Sequence, residues 1–110
     1  MAVEGGGFDD GLVVDVLDRS AEAAVIRLEG DIDMLTSQRL RAAVADALGD
    51  DTNSEVVFEM AAVDFVDSSG LSVLIGIAQG GRSVVLRNPT DVVRRVIETT
   101  GLTSLLRLEP

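Results

Sequence analysis

Val63-Asp64-Phe65-Val66-Asp67-Ser68-Ser69-Gly70-Leu71-Ser72-Val73-Leu74-Ile75-Gly76 is the stretch on which the reading of the chain turns. An apolar run meets an acid, two hydroxyls and a glycine, then becomes a second apolar run. This is the pattern of a strand that ends in a tight loop and opens a buried helix. It predicts Asp67, Ser68 and Ser69 at the helix mouth. The first turn of a helix carries amide N–H groups with no intrahelical acceptor, so an anion such as phosphate is accommodated there. The chain has no histidine to activate those hydroxyls, and the serines read as acceptors of chemistry rather than its agents.

On the C-terminal side, Leu71–Ala78 is apolar on almost every side and predicts a helix buried over most of its surface, stopped by Gly80-Gly81. Ser83–Leu86 predicts a short strand. Asn88-Pro89-Thr90-Asp91 predicts a helix start, with Asn88 as cap, Pro89 at the first helical position and an acid at the third. That helix turns Val92, Val93, Val96 and Ile97 inward and Arg94, Arg95 and Glu98 outward. Gly101 ends it, Leu102 folds back on its last turn, and Leu105, Leu106 and Leu108 supply a final strand.

On the N-terminal side, Leu12–Leu17 and Ala23–Leu28 read as two strands, the second alternating Ile26 and Leu28 against Arg27 and Glu29. The short polar link Asp18-Arg19-Ser20-Ala21-Glu22 predicts a hairpin. Gly30-Asp31-Ile32-Asp33 is expected to break the second strand. Thr36 or Ser37 then caps a helix running to about Leu48, with Leu40, Ala43, Val44, Ala47 and Leu48 as its apolar stripe and Gly49 at its end. Glu55–Met60 is nearly unbroken in apolar character, which predicts cover on both faces. Residues 1–10 read as a loose tail before one domain over 11–110. The order β-β-α-β-α-β-α-β, with helical crossovers between later strands, predicts an α/β fold: a five-stranded mixed sheet with an N-terminal β-hairpin and three to four packed helices.

Composition narrows the function. The 110 residues suit one domain, and 46 % are apolar while only 3 % are aromatic, so the core is built from Val, Leu, Ile and Ala. With no Trp or Tyr, platforms for stacking bases or sugars are missing. Nineteen acidic residues face nine basic ones, all Arg, for a formal charge of −10. That balance argues against nucleic acid and anionic membrane as partners, both of which need clustered cations. It favours solubility, or a partner with a basic docking face. Without Cys or His, disulfides, thiolates and the usual zinc and copper sites are excluded, and no metal or cofactor is expected. The N-terminus has neither the basic start nor the apolar core of a signal peptide. No apolar run approaches the roughly 20 residues of a membrane span. A cytoplasmic protein is expected.

Nucleophilic catalysis by Ser68 or Ser69 lacks a base, since His and Lys are absent, and the spacing is not that of a Gly-x-Ser-x-Gly elbow. Asp31, Asp33, Asp64 and Asp67 would share one rim of the sheet if their strands are neighbours, which offers weak Mg²⁺ binding or a catalytic pair. As solvated loop acids, with Asp67 as a cap, they need no such role. The glycines do not match a phosphate-cradling loop followed by Lys. Phosphorylation suits the residues better: a phosphoserine at a helix mouth leaves the fold standing and sharply changes an already acidic surface. A Ser-Ser pair is also, and more commonly, a plain cap and turn.

Asp67-Ser68-Ser69-Gly70-Leu71, preceded by Phe65-Val66, resembles the signature of the STAS domain, and specifically that of bacterial anti-sigma factor antagonists. Leu28-Glu29-Gly30-Asp31-Ile32-Asp33 is similar to the family's Gly-acid-apolar-Asp motif, and Asn88-Pro89 through Gly101-Leu102 to its closing helix. The resemblance spans roughly residues 10–109. It implies a non-enzymatic switch that captures an anti-sigma factor with serine-kinase activity. Phosphorylation, at the position matched by Ser68, releases that partner, and a serine phosphatase restores capture, so that sigma-factor-dependent transcription is controlled. It further implies that Asp33 lies near the phosphorylated loop as a point of contact and that the kinase supplies ATP. In this reading Asp67 caps the loop, Ser69 and Gly70 present the backbone, and Gly70 admits the kinase closely. The chain departs from the best-known members in a shorter helix after Gly70, in lacking their basic outer residues, and in having Ser72 where Gly is frequent. The alternatives are a constitutive STAS interaction module of a stress-signalling scaffold or lipid-transport complex, and a small enzyme or nucleotide-binding protein using the Asp-rich rim.

Overall fold

The computed structural model describes residues 11–20, 22–49 and 55–110. The expected tail over 1–10 lies outside the described residues. Strand β1 (Leu12–Arg19) and strand β2 (Ala23–Ile32) are followed by helix α1 (Met34–Leu48), strand β3 (Glu55–Val66), helix α2 (Ser68–Gln79), strand β4 (Ser83–Arg87), helix α3 (Asp91–Thr99), a 3₁₀ turn at Leu102–Ser104 and strand β5 (Leu106–Glu109). The sheet order is β1-β2-β3-β4-β5. β1 pairs antiparallel with β2, and the other three pairings are parallel. The five-stranded mixed sheet with its opening hairpin is the one expected from the sequence.

Each parallel neighbour is reached through a helix, and right-handed crossovers between successive strands put all the helices on one face of the sheet. Side-chain parity agrees. Val56, Phe58 and Met60 of β3 join the core with Ile26 and Leu28 of β2, Val84 and Leu86 of β4 and Leu106 of β5, as do Leu40 and Val44 of α1, Leu71 and Leu74 of α2, and Val93 and Ile97 of α3. The alternate positions face the other way. There Val57 and Val85 lie buried outside that cluster, among Arg27, Glu29, Glu55, Glu59, Arg87, Arg107 and Glu109. β3 is thus covered on both faces, as expected, but helices supply the cover on only one. Its second face is roofed by charged side chains, with ion pairs Arg27–Glu29, Arg87–Glu109, Arg107–Glu55 and Arg107–Glu109 at 3.3–3.7 Å. Long side chains cover apolar surface with their stems while their heads stay in water.

Two strands run further than their sequences suggest. β2 continues through Gly30 to Ile32 and β3 through Ala61 to Val66, because each supplies the other's partner: Glu29 pairs with Ala62, Asp31 with Phe65 and Ile32 with Val66. Register shifts at Arg27/Glu29 and Gly30/Asp31 mark the kinks in this extension. Gly30 has φ +116°, and a Cβ there would meet the Gly11 carbonyl oxygen at 1.7 Å. The residue that looked like a strand breaker is a bulge over which β1 begins. β4 pairs with β3 only as far as Glu59, so the ends of β2 and β3 project beyond β4 and β5 as a ledge.

Candidate functional site

The ledge carries the two loops that the sequence singled out. Asp67 is the N-cap of α2, its carboxylate accepting the amides of Ser69 at 2.8 Å and Gly70 at 3.0 Å. Its carbonyl accepts the Leu71 amide and its own amide donates to the Ile32 carbonyl. Ser68 is the first helical residue and is exposed, Ser69 is half-buried, and Gly70 is buried. The cap expected for Asp67 is present, but it takes two of the amides to which an anion was expected to bind. A negative group on Ser68 would meet the Asp67 carboxylate already in that seat.

Gly70 has a different reason from the one expected. A Cβ at this position would lie 2.6 Å from Ile32 Cγ2 and 2.8 Å from the Ile32 carbonyl oxygen. Its smallness serves the contact between the start of α2 and the end of β2, inside the molecule.

The neighbouring loop is held as firmly. The expected cap of α1 at Thr36 or Ser37 is corrected to Asp33, three or four residues earlier. The Asp33 carboxylate accepts the Leu35 and Thr36 amides, both at 3.0 Å, and the Asp33 amide donates to the Thr36 hydroxyl at 2.8 Å. This closes a capping box in which Thr36 stands at the third helical position. The buried Thr36 hydroxyl donates in turn to the Asp31 carbonyl. The Thr36 amide is the main reason the Asp33 carboxyl lies below its ordinary value; burial opposes it next, and the Thr36 hydroxyl and Leu35 amide lower it further. Asp33 follows Ile32, whose carbonyl accepts the Asp67 amide, and its carboxylate is spent on the cap.

Pattern reading missed the apolar side chains of this rim. Met34 and Leu35, immediately after Asp33, are 67 % and 74 % exposed, and Phe65, just before the Asp67 cap, is also exposed. The signal was available: apolar residues at the first two positions of an amphipathic helix that fall off its core stripe. At the other end of the sheet's helical layer, α3 is capped by Thr90, whose hydroxyl accepts the Val93 amide, and not by Asn88. Asn88 instead takes φ +55° and donates its amide to the Glu109 carbonyl, extending the β4–β5 pairing. Val92, expected to face inward, is exposed. Among the described residues no group of three or more acids is arranged to hold a metal ion, and no described helix is long and apolar enough to cross a membrane.

Comparison with known proteins places these loops in a family. The STAS domain model matches residues 16–110, and the chain belongs to that family. The anti-sigma-F factor antagonist RsfB of Mycobacterium tuberculosis is 33 % identical over 104 residues, covering 90 % of this chain and 82 % of RsfB. An anti-sigma factor antagonist from Mycobacterium paratuberculosis, solved by crystallography, matches with a TM-score of 0.73 and 30 % identity over 90 % of this chain and 86 % of that one. The Bacillus anti-sigma factor antagonist SpoIIAA shares the fold in its unphosphorylated form, with a TM-score of 0.72 at 24 % identity over 89 % of both chains. It also does so in its phosphorylated form, with a TM-score of 0.66 at 23 % identity over 89 % of this chain and 92 % of that one.

Proposed function

We propose that this protein is an anti-sigma factor antagonist switched at Ser68. Unphosphorylated, it holds an anti-sigma factor that is also a serine kinase; phosphorylated, it lets that partner go, and a serine phosphatase resets it. The observation that carries the reading is the placement of Ser68: an exposed hydroxyl at the first position of α2, on a loop anchored by Asp67 and by the Ile32–Gly70 contact. The relatives named anti-sigma factor antagonists support the partner class.

The chemistry asks little of this chain. The Ser68 Oγ attacks the γ-phosphorus of ATP held by the kinase, the Oγ–P bond forms as the bond to ADP breaks, and the hydroxyl proton passes to a base of the kinase. The chain offers neither His, Lys nor Cys for that task. The product adds nearly two negative charges and three acceptor oxygens beside Asp67, whose carboxylate already occupies the helix amides. The new charge is therefore turned outward to the partner. Met34, Leu35 and Phe65 give the rim its apolar contact, and a phosphate set among them would leave a desolvated charge in the interface.

Intact-mass analysis after incubation with candidate kinases and Mg-ATP, followed by peptide mapping, tests the assignment. One phosphate on the peptide containing Ser68 is expected, and none on Ser68→Ala, which stays in the capturing form. Labelling that persists in Ser68→Ala moves the acceptor to another hydroxyl. Equal capture before and after phosphorylation makes the chain a constitutive interaction module instead.

A further inference from the structure

Helices α1 and α2 lie side by side on the sheet, and between them runs a cleft of about 320 Å³. Its floor is apolar, made by Val44, Val73 and Ile77, and the small residues Ala45 and Gly76 leave its walls low. Two properties set it apart from the rest of the surface. The chain carries nineteen acids against nine basic residues, yet among the described residues the two charged ones that line this cleft are Arg41 and Arg82. In addition, Gly76 makes no close contact that would favour a glycine among the described residues. Among the described residues a Cβ there would meet no side chain or neighbouring element within 4 Å, and its backbone is not in the left-handed region. Glycine is the poorest helix former after proline, so a glycine inside α2 without an internal contact to favour it points to something that approaches from outside.

We propose that this cleft receives an acidic helical segment of the partner that docks on the Ser68 rim, one large apolar side chain of that segment entering between α1 and α2 and carboxylates on either side of it meeting Arg41 and Arg82. The identity of that partner rests on the reading given above. Gly76 and Ala45 let the incoming backbone come close. The Arg82 guanidinium donates to the Gly49 carbonyl at the end of α1, which positions it before the segment arrives and lowers the ordering cost of binding. Ser68 and Gly76 stand eight residues apart on one helix, ~12 Å along its axis, so one partner of ordinary interface size spans both. A second copy of this chain is the poorer occupant, since it brings the same net charge of −10 against its twin.

The test uses the intact, ¹⁵N-labelled protein and two synthetic helical peptides. One carries a single Leu flanked one turn away on each side by Glu; its twin carries Lys in place of Glu. The acidic peptide is expected to give saturable amide shifts at Ala45, Val73, Gly76 and Ile77 at up to millimolar concentration, and the Lys twin none. Gly76→Gln, whose side chain has open space to enter, keeps its circular dichroism and melting temperature while binding falls at least tenfold. Arg41→Glu falls equally, and Arg95→Glu, on α3 away from the cleft, binds as the parent does. Equal binding by the Lys twin, full binding by Gly76→Gln, or shifts confined to other surfaces overturns the proposal. So does sedimentation showing a dimer that Gly76→Gln abolishes, because the cleft then belongs to a second copy. Loss of the peptide shifts while Ser68 is still labelled by a kinase removes the cleft and leaves the switch. Peptide binding without any labelling of Ser68 supports the cleft and removes the switch.

Discussion

Ser68 and Gly70 are two residues apart and do opposite work. The first is displayed, and the second is hidden against Ile32. Replacing Gly70 by Ala forces a methyl into 2.6 Å of the Ile32 side chain and 2.8 Å of its carbonyl. Overpacking of this kind costs about 1–3 kcal/mol, so Gly70→Ala is expected to lower the denaturant midpoint clearly in chemical unfolding. Ser68→Ala, exposed and without a packing role, is expected to melt within a degree or two of the parent. Ser68→Asp is expected to fold normally and to weaken partner capture by tenfold or more in a titration calorimeter; unchanged affinity would separate capture from charge at this position. Asp67→Ala removes the cap of α2 and is expected to cost ~1 kcal/mol. At Asp33 the folded-state carboxyl is held below 3.8 by the Thr36 amide first. A depressed carboxyl stabilises the fold above the unfolded pKa, and that contribution fades as the pH falls through the folded value. Melting curves of the parent and Asp33→Asn should therefore differ most above pH 3.8 and converge below it. Asp67, Ser68 and Gly70 were all legible as a loop and cap. The inward role of Gly70 was not, because it depends on Ile32, thirty-eight positions away and brought beside it only by the β2–β3 pairing.

Among the elements, the helices were read best and the strand ends worst. Periodic apolar stripes found α1, α2 and α3, and Asp67 caps α2 where expected, but the caps of α1 and α3 were displaced. Thr36 reads as a cap by residue type, and so does Asn88, yet Asp33 and Thr90 do the capping. In each case the nominal cap is engaged elsewhere, Thr36 in the reciprocal half of a box and Asn88 in the end of the sheet. β2 and β3 appeared to stop at Leu28 and Met60 because Gly30, Asp31 and Asp64 interrupt the apolar pattern. Pairing between the two strands carries both onward, and no local propensity registers that. The charged roof on the open face also escaped a reading based on apolar runs. Its pairs are solvent-exposed, with the Arg107 side chain 62 % accessible, and exposed pairs contribute about 0–1 kcal/mol. Arg107→Ala is expected to change stability by no more than that in urea titrations. A larger loss would mean that the arginine stem, packed over the neighbouring valine row, matters more than its charge.

For the whole molecule, sequential strand order has a plain effect: every strand's neighbours in the sheet are its neighbours in the chain. The order β-β-α-β-α-β-α-β was readable from alternating periods for this reason, with no distant crossover to guess. The core is correspondingly single, and Phe58, fully buried at its centre, is the aromatic on which it leans. Phe58→Ala is expected to cost ~3–5 kcal/mol, enough to unfold a marginal domain at physiological temperature, as a loss of the cooperative thermal transition would report. The weld between the two loops also sets the tempo of recognition. The Asp67 amide is tied to the Ile32 carbonyl beneath a glycine that leaves no slack. It should resist deuterium exchange almost as long as the central strands, although it sits at a strand end. A platform that stiff has no ordering step to complete before it is recognised, so the speed of association is governed by encounter and electrostatic steering rather than by folding of the loop.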